Sequence, residues 1–320
     1  MTPARIVRVA LLSLALGALL PQTVAEVKIT EADGRLRIEV DDEFFANYEF
    51  SGGSRPYLYP ILLPGGIALS RDWPMKDVPG EEHDHPHHRS LWWAHGELNG
   101  VDFWSESDKA GRTVHQKFLE LRSGSAGVIR STNSLVAKDG KLIATDDRTL
   151  TVRADGSARI LDFSVTVHAS AGALEFGDTK EGTMAIRLNE QLRLKPNKDR
   201  TGKPVGHIVN SAGVRDDATW GKRADWVDYH GAVDGAEVGV AILDHPSNPR
   251  HPTWWHVRDY GLFAANPFGV HDFEQKPAGT GKFEVPAGGS VTFRYRFIFH
   301  RGDETAARIA ARYSDFAAQP

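Results

Sequence analysis

Several stretches of the chain alternate apolar and polar side chains with a period of two. In Leu161-Asp162-Phe163-Ser164-Val165-Thr166-Val167-His168 the apolar residues fall on one side, and Val291-Thr292-Phe293-Arg294-Tyr295-Arg296-Phe297 repeats the pattern. Successive side chains of a strand point to opposite faces of its sheet, so these segments predict strands with one core face and one polar face. Similar runs occupy 27–40, 117–121, 150–152, 183–194 and 236–243. Turn dipeptides punctuate them, among them Asp33-Gly34, Asp139-Gly140, Asp155-Gly156, Asp234-Gly235 and Gly288-Gly289. Many strands joined by tight turns predict an all-β protein, a large antiparallel β-sandwich. Helical spacing is confined to 304–316, where Ala306, Ile309 and Tyr313 share a face and Asp303 or Glu304 stands at the start. With no internal repeat or linker, residues 26–320 are expected to form a single β-sandwich domain.

Residues 1–25 follow a different pattern. Arg5 and Arg8 precede an apolar run from Val9 to Leu20, then Pro21 and the small-residue end Thr23-Val24-Ala25. That is the layout of a secretory signal peptide, and the run is short for a membrane span of about 20 residues. A periplasmic or secreted protein with no stable membrane insertion after cleavage is expected. The absence of Cys excludes disulfides, thiolate metal sites and cysteine nucleophiles. A net charge of −4 offers no basic stripe for phosphate backbones, so no nucleic-acid partner is expected.

Histidine changes the picture most. There are 14 in the chain. His83, His85, His87, His88, His95 and His115 crowd one region, and Asp244-His245-Pro246 through His251 to His256 forms a second cluster. These clusters lie in two segments, 55–104 and 244–272, where the alternation breaks; such irregular segments on a sheet scaffold carry sites. Imidazole titrates near neutrality, so the clusters suit proton transfer, or metal binding when uncharged. Were the chain extended around Pro86, His83, His85 and His87 would point one way and Asp84 and His88 the other. A divalent transition metal held by His83, His85 and His87 with His95 or His256 is one reading. A hydrogen-bonded structural role is the other, with His83 and His115 the readiest bystanders and His168 and His300 structural at strand ends.

Each cluster runs into a tryptophan pair, Trp92-Trp93 and Trp254-Trp255. Rings beside polar side chains suit a sugar, whose C–H face stacks while its hydroxyls find partners, although alternation should bury about half of these rings in the core. Trp92 and Trp255 are the expected stacking residues, with His256, Arg55 and Arg89 fixing hydroxyl or carboxylate groups. Lys180-Glu181 at a strand mouth is a candidate base with its stabiliser, or an ordinary surface turn; Asp102 and Glu106 flank Trp104 as further candidates. No serine-hydrolase elbow or His-Glu-x-x-His motif occurs.

Five segments, Arg55-Pro56-Tyr57-Leu58-Tyr59-Pro60, Asp84-His85-Pro86-His87-His88-Arg89-Ser90-Leu91-Trp92, Gly100-Val101-Asp102-Phe103-Trp104, Asp178-Thr179-Lys180-Glu181-Gly182 and Asn266-Pro267-Phe268-Gly269, together resemble the PmoA-like family of secreted bacterial proteins. The family label implies a methane oxygenase subunit, whereas members look like products of carbohydrate-degradation genes. The strand pattern resembles the galactose mutarotase supersandwich. That resemblance implies a His that protonates a sugar oxygen, here His87 or His88, and a carboxylate that removes a proton, here Glu181. Three functions remain open: acid–base chemistry on a small or oligomeric sugar (epimerase, lyase or hydrolase), a metal-dependent role, and a non-catalytic glycan-binding module.

Overall fold

The alternating segments pair into two antiparallel sheets. The computed structural model describes residues 25–197 and 206–320, so the leader-like residues 1–24 lie outside the described residues. The first sheet has eight strands in the order Val27–Ala32, Arg35–Val40, Glu43–Glu49, Tyr57–Tyr59, Leu91–His95, Gly182–Arg187, Leu262–Asn266 and Trp254–Val257. The second also has eight: His207–Asn210, Trp226–Val233, Ala236–Asp244, Ser290–Arg301, Ala158–His168, Leu142–Asp155, Gly127–Val136 and Arg112–Arg122. The fold is thus all-β, an antiparallel sandwich with a short C-terminal helix.

Period two decides what each face does. Phe163, Val165, Val167, Phe293, Tyr295, Phe297 and Phe299 face inward from the second sheet and join Trp93, Met184, Ile186, Trp255, Phe263 and Ala265 of the first in one continuous core. Ring pairs cross the interface, such as Phe45–Phe299 at 5.5 Å between centroids and Tyr229–Phe263 at 6.2 Å.

The helix occupies Ile309–Ala317, starting later than its apolar spacing suggests. Residues 304–308 form a turn instead, in which the Asp303 carboxylate accepts from the N–H groups of Thr305 and Ala306. Ala307, Ile309 and Phe316, with Tyr313 beside them, pack on the outer face of the second sheet; Ala306 is exposed. The run at 183–194 does not remain a strand. It leaves the sheet after Arg187 and turns through a 3₁₀ segment at Glu190–Leu192, where the Asn189 side chain accepts from Gln191 N–H. The irregular segments 55–104 and 244–272 contain short strands, which supply the middle and one edge of the first sheet. Among the described residues no helix is long and apolar enough to cross a membrane.

Candidate active site

The outer face of the first sheet carries a depression because its central strands place small side chains there. Ala94, Ala185 and Ala264 sit side by side with Trp92 and Leu262, and loop residues Trp104 and Tyr260 fold over them. An open cleft of about 670 Å³ lies above this layer. Both histidine segments reach it: His85, His87 and His88 come from the loop before Leu91–His95, and His256 and Arg258 come from and just after the edge strand Trp254–Val257.

The first loop is not extended. His85 has a positive φ of 42°, and the His88 N–H bonds back to the His85 carbonyl at 3.0 Å, closing a turn over Pro86. The turn gathers side chains that an extended chain would separate. His85 stacks on His88 at 4.7 Å between ring centroids and on Tyr260 at 5.2 Å.

Behind these rings lies a buried ion network. Asp84 accepts from Arg187 Nη2 at 3.0 and 3.2 Å and from Arg71, and both guanidinium groups are fully buried. Burial alone would raise the Asp84 carboxyl, but the His85 hydrogen bond and the two arginines outweigh it and hold the group far below the carboxylate range. Asp84 is therefore an ionised acceptor, so His85 Nδ1, 2.7 Å from its Oδ2, must donate. In the neutral His85 ring the lone pair is then on Nε2.

The neighbouring ring is the mirror case. Arg187 Nη1 lies 3.2 Å from His88 Nδ1, and a guanidinium can only donate. His88 Nδ1 accepts, and the ring proton is on Nε2. Burial first, then the Arg187 charge, pushes His88 well below its usual pKa, so it is uncharged at neutrality. In their neutral forms the two stacked imidazoles thus carry opposite tautomers, one offering an acceptor and the other a donor.

His87 is held from behind: its carbonyl accepts from buried Arg55 at 3.4 Å, while Arg55 Nη2 also reaches the carbonyls of Trp104 and Ser105 at 2.7 and 3.2 Å. Burial and the Arg55 charge lower the His87 ring to about 4. His256 donates from Nδ1 to the Lys180 carbonyl at 2.7 Å, and burial lowers it to about 4 as well. Lys180 and Glu181 pair at 3.2 Å on the rim, both partly exposed. Arg258 lies over the rings of Trp220 and Tyr260, at 5.9 and 5.5 Å. Among the described residues, no carboxylate lies within ion-pair distance of Arg258.

A family profile matches residues 35–314 and is described as a family of unknown function, DUF6807. The chain belongs to DUF6807. The five motif segments quoted above all lie inside the DUF6807 match. No curated protein matches the chain. Three solved structures show a distant similarity to this DUF6807 protein. An α-galactosidase from Lactobacillus brevis has 7% identity and a TM-score of 0.43, covering 88% of this chain and 40% of the galactosidase. A galactose mutarotase related enzyme from Lactobacillus acidophilus has 9% identity and a TM-score of 0.32, covering 86% of this chain and 97% of its own. A glycoside hydrolase family 97 enzyme from Pseudoalteromonas sp. strain K8 has 9% identity and a TM-score of 0.29, covering 88% of this chain and 34% of its own.

Of the site residues expected from sequence, the DUF6807 structure brings His85, His87, His88, Glu181 and His256 to one cleft. It does not bring together the four imidazoles expected to hold a metal. His83 stacks on Trp73 at 3.9 Å and pairs with Asp77 on the surface. His95 is buried against Phe176 and Phe268 and donates from Nε2 to the Gly177 carbonyl at 2.8 Å. Arg55 and Arg89 do not line the cleft: Arg55 ties loops together, and Arg89 makes a two-pronged pair with Glu106 at 2.6 and 2.8 Å. Trp92 lies under His88 and Trp104 as part of the floor. Trp255 points the other way, into the core between the sheets, with its Nε1 donating to the Ala224 carbonyl. The alternation of Trp254-Trp255 required one of the pair to do so. Sequence reading missed Arg187, Arg258 and Tyr260. Arg187 stands on the polar face of a strand, a position that normally meets water, and only the covering loop turns it into a buried group.

Proposed function

We propose that this protein is a carbohydrate-active enzyme that moves protons on a sugar bearing an acidic group. The observation that carries the reading is the pair of stacked imidazoles with opposite tautomers. His85, oriented by Asp84, takes a proton through Nε2, and His88, oriented by Arg187, donates an Nε2–H hydrogen bond to the oxygen where charge develops. A neutral imidazole is a suitable donor for such an oxygen because its hydrogen bond comes without the cost of burying a cation. Proton transfer of this kind is the shared chemistry of epimerases and lyases. The low pKa of His87 turns the expected role around: an uncharged ring at neutrality is no imidazolium acid, and His87 instead contacts substrate. Glu181 and Lys180 stand at the rim as a second proton-transfer pair.

Arg258 supplies the substrate class. It is a cation over two aromatic faces without a carboxylate partner among the described residues, and it fits the carboxylate of a uronic acid in a two-pronged contact. The Trp104 and Tyr260 rings give the sugar its apolar contact. The leader-like pattern of residues 1–25 supports action in the periplasm or outside the cell.

Incubation with oligosaccharides of hexuronic acids, followed by proton NMR in deuterated water, tests the reading. Expected are product signals or deuterium incorporation at one sugar carbon, lost by about 10²–10⁴-fold in His85→Ala and in His88→Ala. Calorimetric binding with no exchange or product would replace this reading with that of a glycan-binding module. Full turnover in both variants would overturn it.

A further inference from the structure

A second cluster of ligating side chains lies on the opposite side of the sandwich, on the outer face of the second sheet. Core residues Val227, Tyr229, Phe297 and Phe299 face inward, so the alternating partners Asp228, His230 and His300 face outward. The three strands are in register such that His230 and His300 both pair with Gly239, one from each side. No other residue fits there. A Cβ on Gly239 would stand 2.5 Å from His300 Cε1 and 2.8 Å from His230 Cβ. Glycine inside a strand weakens it and marks a place where other groups approach closely. Here it lets two imidazoles lean over the same strand and converge on one carboxylate.

Both rings reach Asp228. His230 Nδ1 lies 2.6 Å from Asp228 Oδ1, and His300 Nε2 lies 2.6 Å from Asp228 Oδ2. Glu304, from the turn after the Ser290–Arg301 strand, closes the group with Oε2 at 3.8 Å from His230 Nδ1. Its other oxygen is held by Arg215 at 3.2 Å, which fixes the carboxylate's direction. One ligand atom each from Asp228, His230 and Glu304 lie within 4.8 Å of one another. Asp228, His230 and His300 are buried, and Glu304 is half-buried.

We propose that Asp228, His230 and Glu304 form a zinc site, with His300 holding the other Asp228 oxygen, that fastens the 302–308 turn, and through it the C-terminal helix, to the second sheet. One imidazole nitrogen and two carboxylates, with a fourth position for water, are a donor set suited to a borderline ion in tetrahedral coordination; magnesium and calcium prefer oxygen alone. On binding, zinc would take the lone pair of His230 Nδ1 in place of its hydrogen bond to Asp228, and the ring's proton would sit on Nε2. The site is remote from the cleft and independent of the reading given to it.

The test uses full-length protein stripped of metal by a chelator, then titrated with zinc alone by calorimetry. Because the cleft histidines also attract zinc, the titration is repeated in His85→Ala/His87→Ala. One tight equivalent should survive in that double variant and raise Tm. It should weaken by about 100-fold or more in Glu304→Gln and in His230→Gln. Glu304→Gln perturbs a half-buried group, and circular dichroism confirms its fold. Zinc binding unchanged in both variants, or no tight equivalent in the stripped protein, would overturn the site and leave the cluster a hydrogen-bond network.

Discussion

Replacing Asp84 by Asn tests the electrostatic design of the cleft directly. The carboxylate faces two guanidinium groups whose side chains have no solvent exposure. Without it their remaining counter-charge is Glu190, at 4.0 Å from Arg71 and 3.9 Å from Arg187. Breaking a buried pair by removing one partner costs about 3–5 kcal/mol. Asp84 itself retains 28% side-chain exposure, so water relieves part of that loss and the lower end applies. A loss of about 3 kcal/mol corresponds to a fall in Tm of roughly 6–12 °C for a domain somewhat smaller than this one. The pH sign follows from the depressed carboxyl. Its stabilisation is present above the free-carboxylate value of about 3.9 and is lost as pH falls through the folded value, so Asp84→Asn should match wild type more closely in strong acid than at neutrality. Scanning calorimetry measures both effects, and long-range ¹H–¹⁵N spectra of the rings report which nitrogen of His85 carries the proton. An unchanged Tm at pH 7, or a wild-type His85 protonated on Nε2 alone, would refute the reasoning.

Arg258→Met should raise KM for a hexuronate oligosaccharide at least 10-fold with Tm unchanged, since among the described residues no carboxylate pairs with that cation; an unaltered KM would remove Arg258 from substrate binding. Lowering pH from 7 to 5 should destabilise the fold. His95 and His256 are lowered to about 4 by burial, so the unfolded chain binds more protons between that value and about 6.5, with a limit near 1.4 kcal/mol per pH unit for each ring. His230 works in the opposite direction, because its charged neighbours outweigh burial and raise it; a Tm that stays flat or rises on acidification would contradict the net sign. Gly239→Ala should cost about 1–3 kcal/mol by crowding His230 and His300, measured by urea unfolding; a neutral result would mean that the cluster has room to spare.

The fold was legible because period two is a local signal. The strands around 161–168 and 291–297 needed only their own alternation, and the Asp-Gly turns located the connections. The site was legible in part. Two histidine segments could be seen to be unusual, and they do share a cleft. Their geometry could not be seen. The fate of Asp84, His85 and His88 rests on one residue with a positive φ before Pro86, which converts an extended spacing into a turn and puts Asp84 and His85 in contact. The Trp pairs illustrate the same limit: alternation predicted one ring of each in the core, yet all four are buried, because loops fold back over the outer face. The Asp228 cluster left the weakest trace, since it is assembled from three strands and a turn, and its most telling member is a glycine.

The hold of Arg55 on the backbone of His87, Trp104 and Ser105 has a dynamic consequence. A single guanidinium bolts the wall that carries the imidazoles to the wall that carries the ring platform, so neither can swing without the other. A cleft braced in this way does not wait for a lid to close. The spacing between its imidazoles and its rings is set by the fold itself.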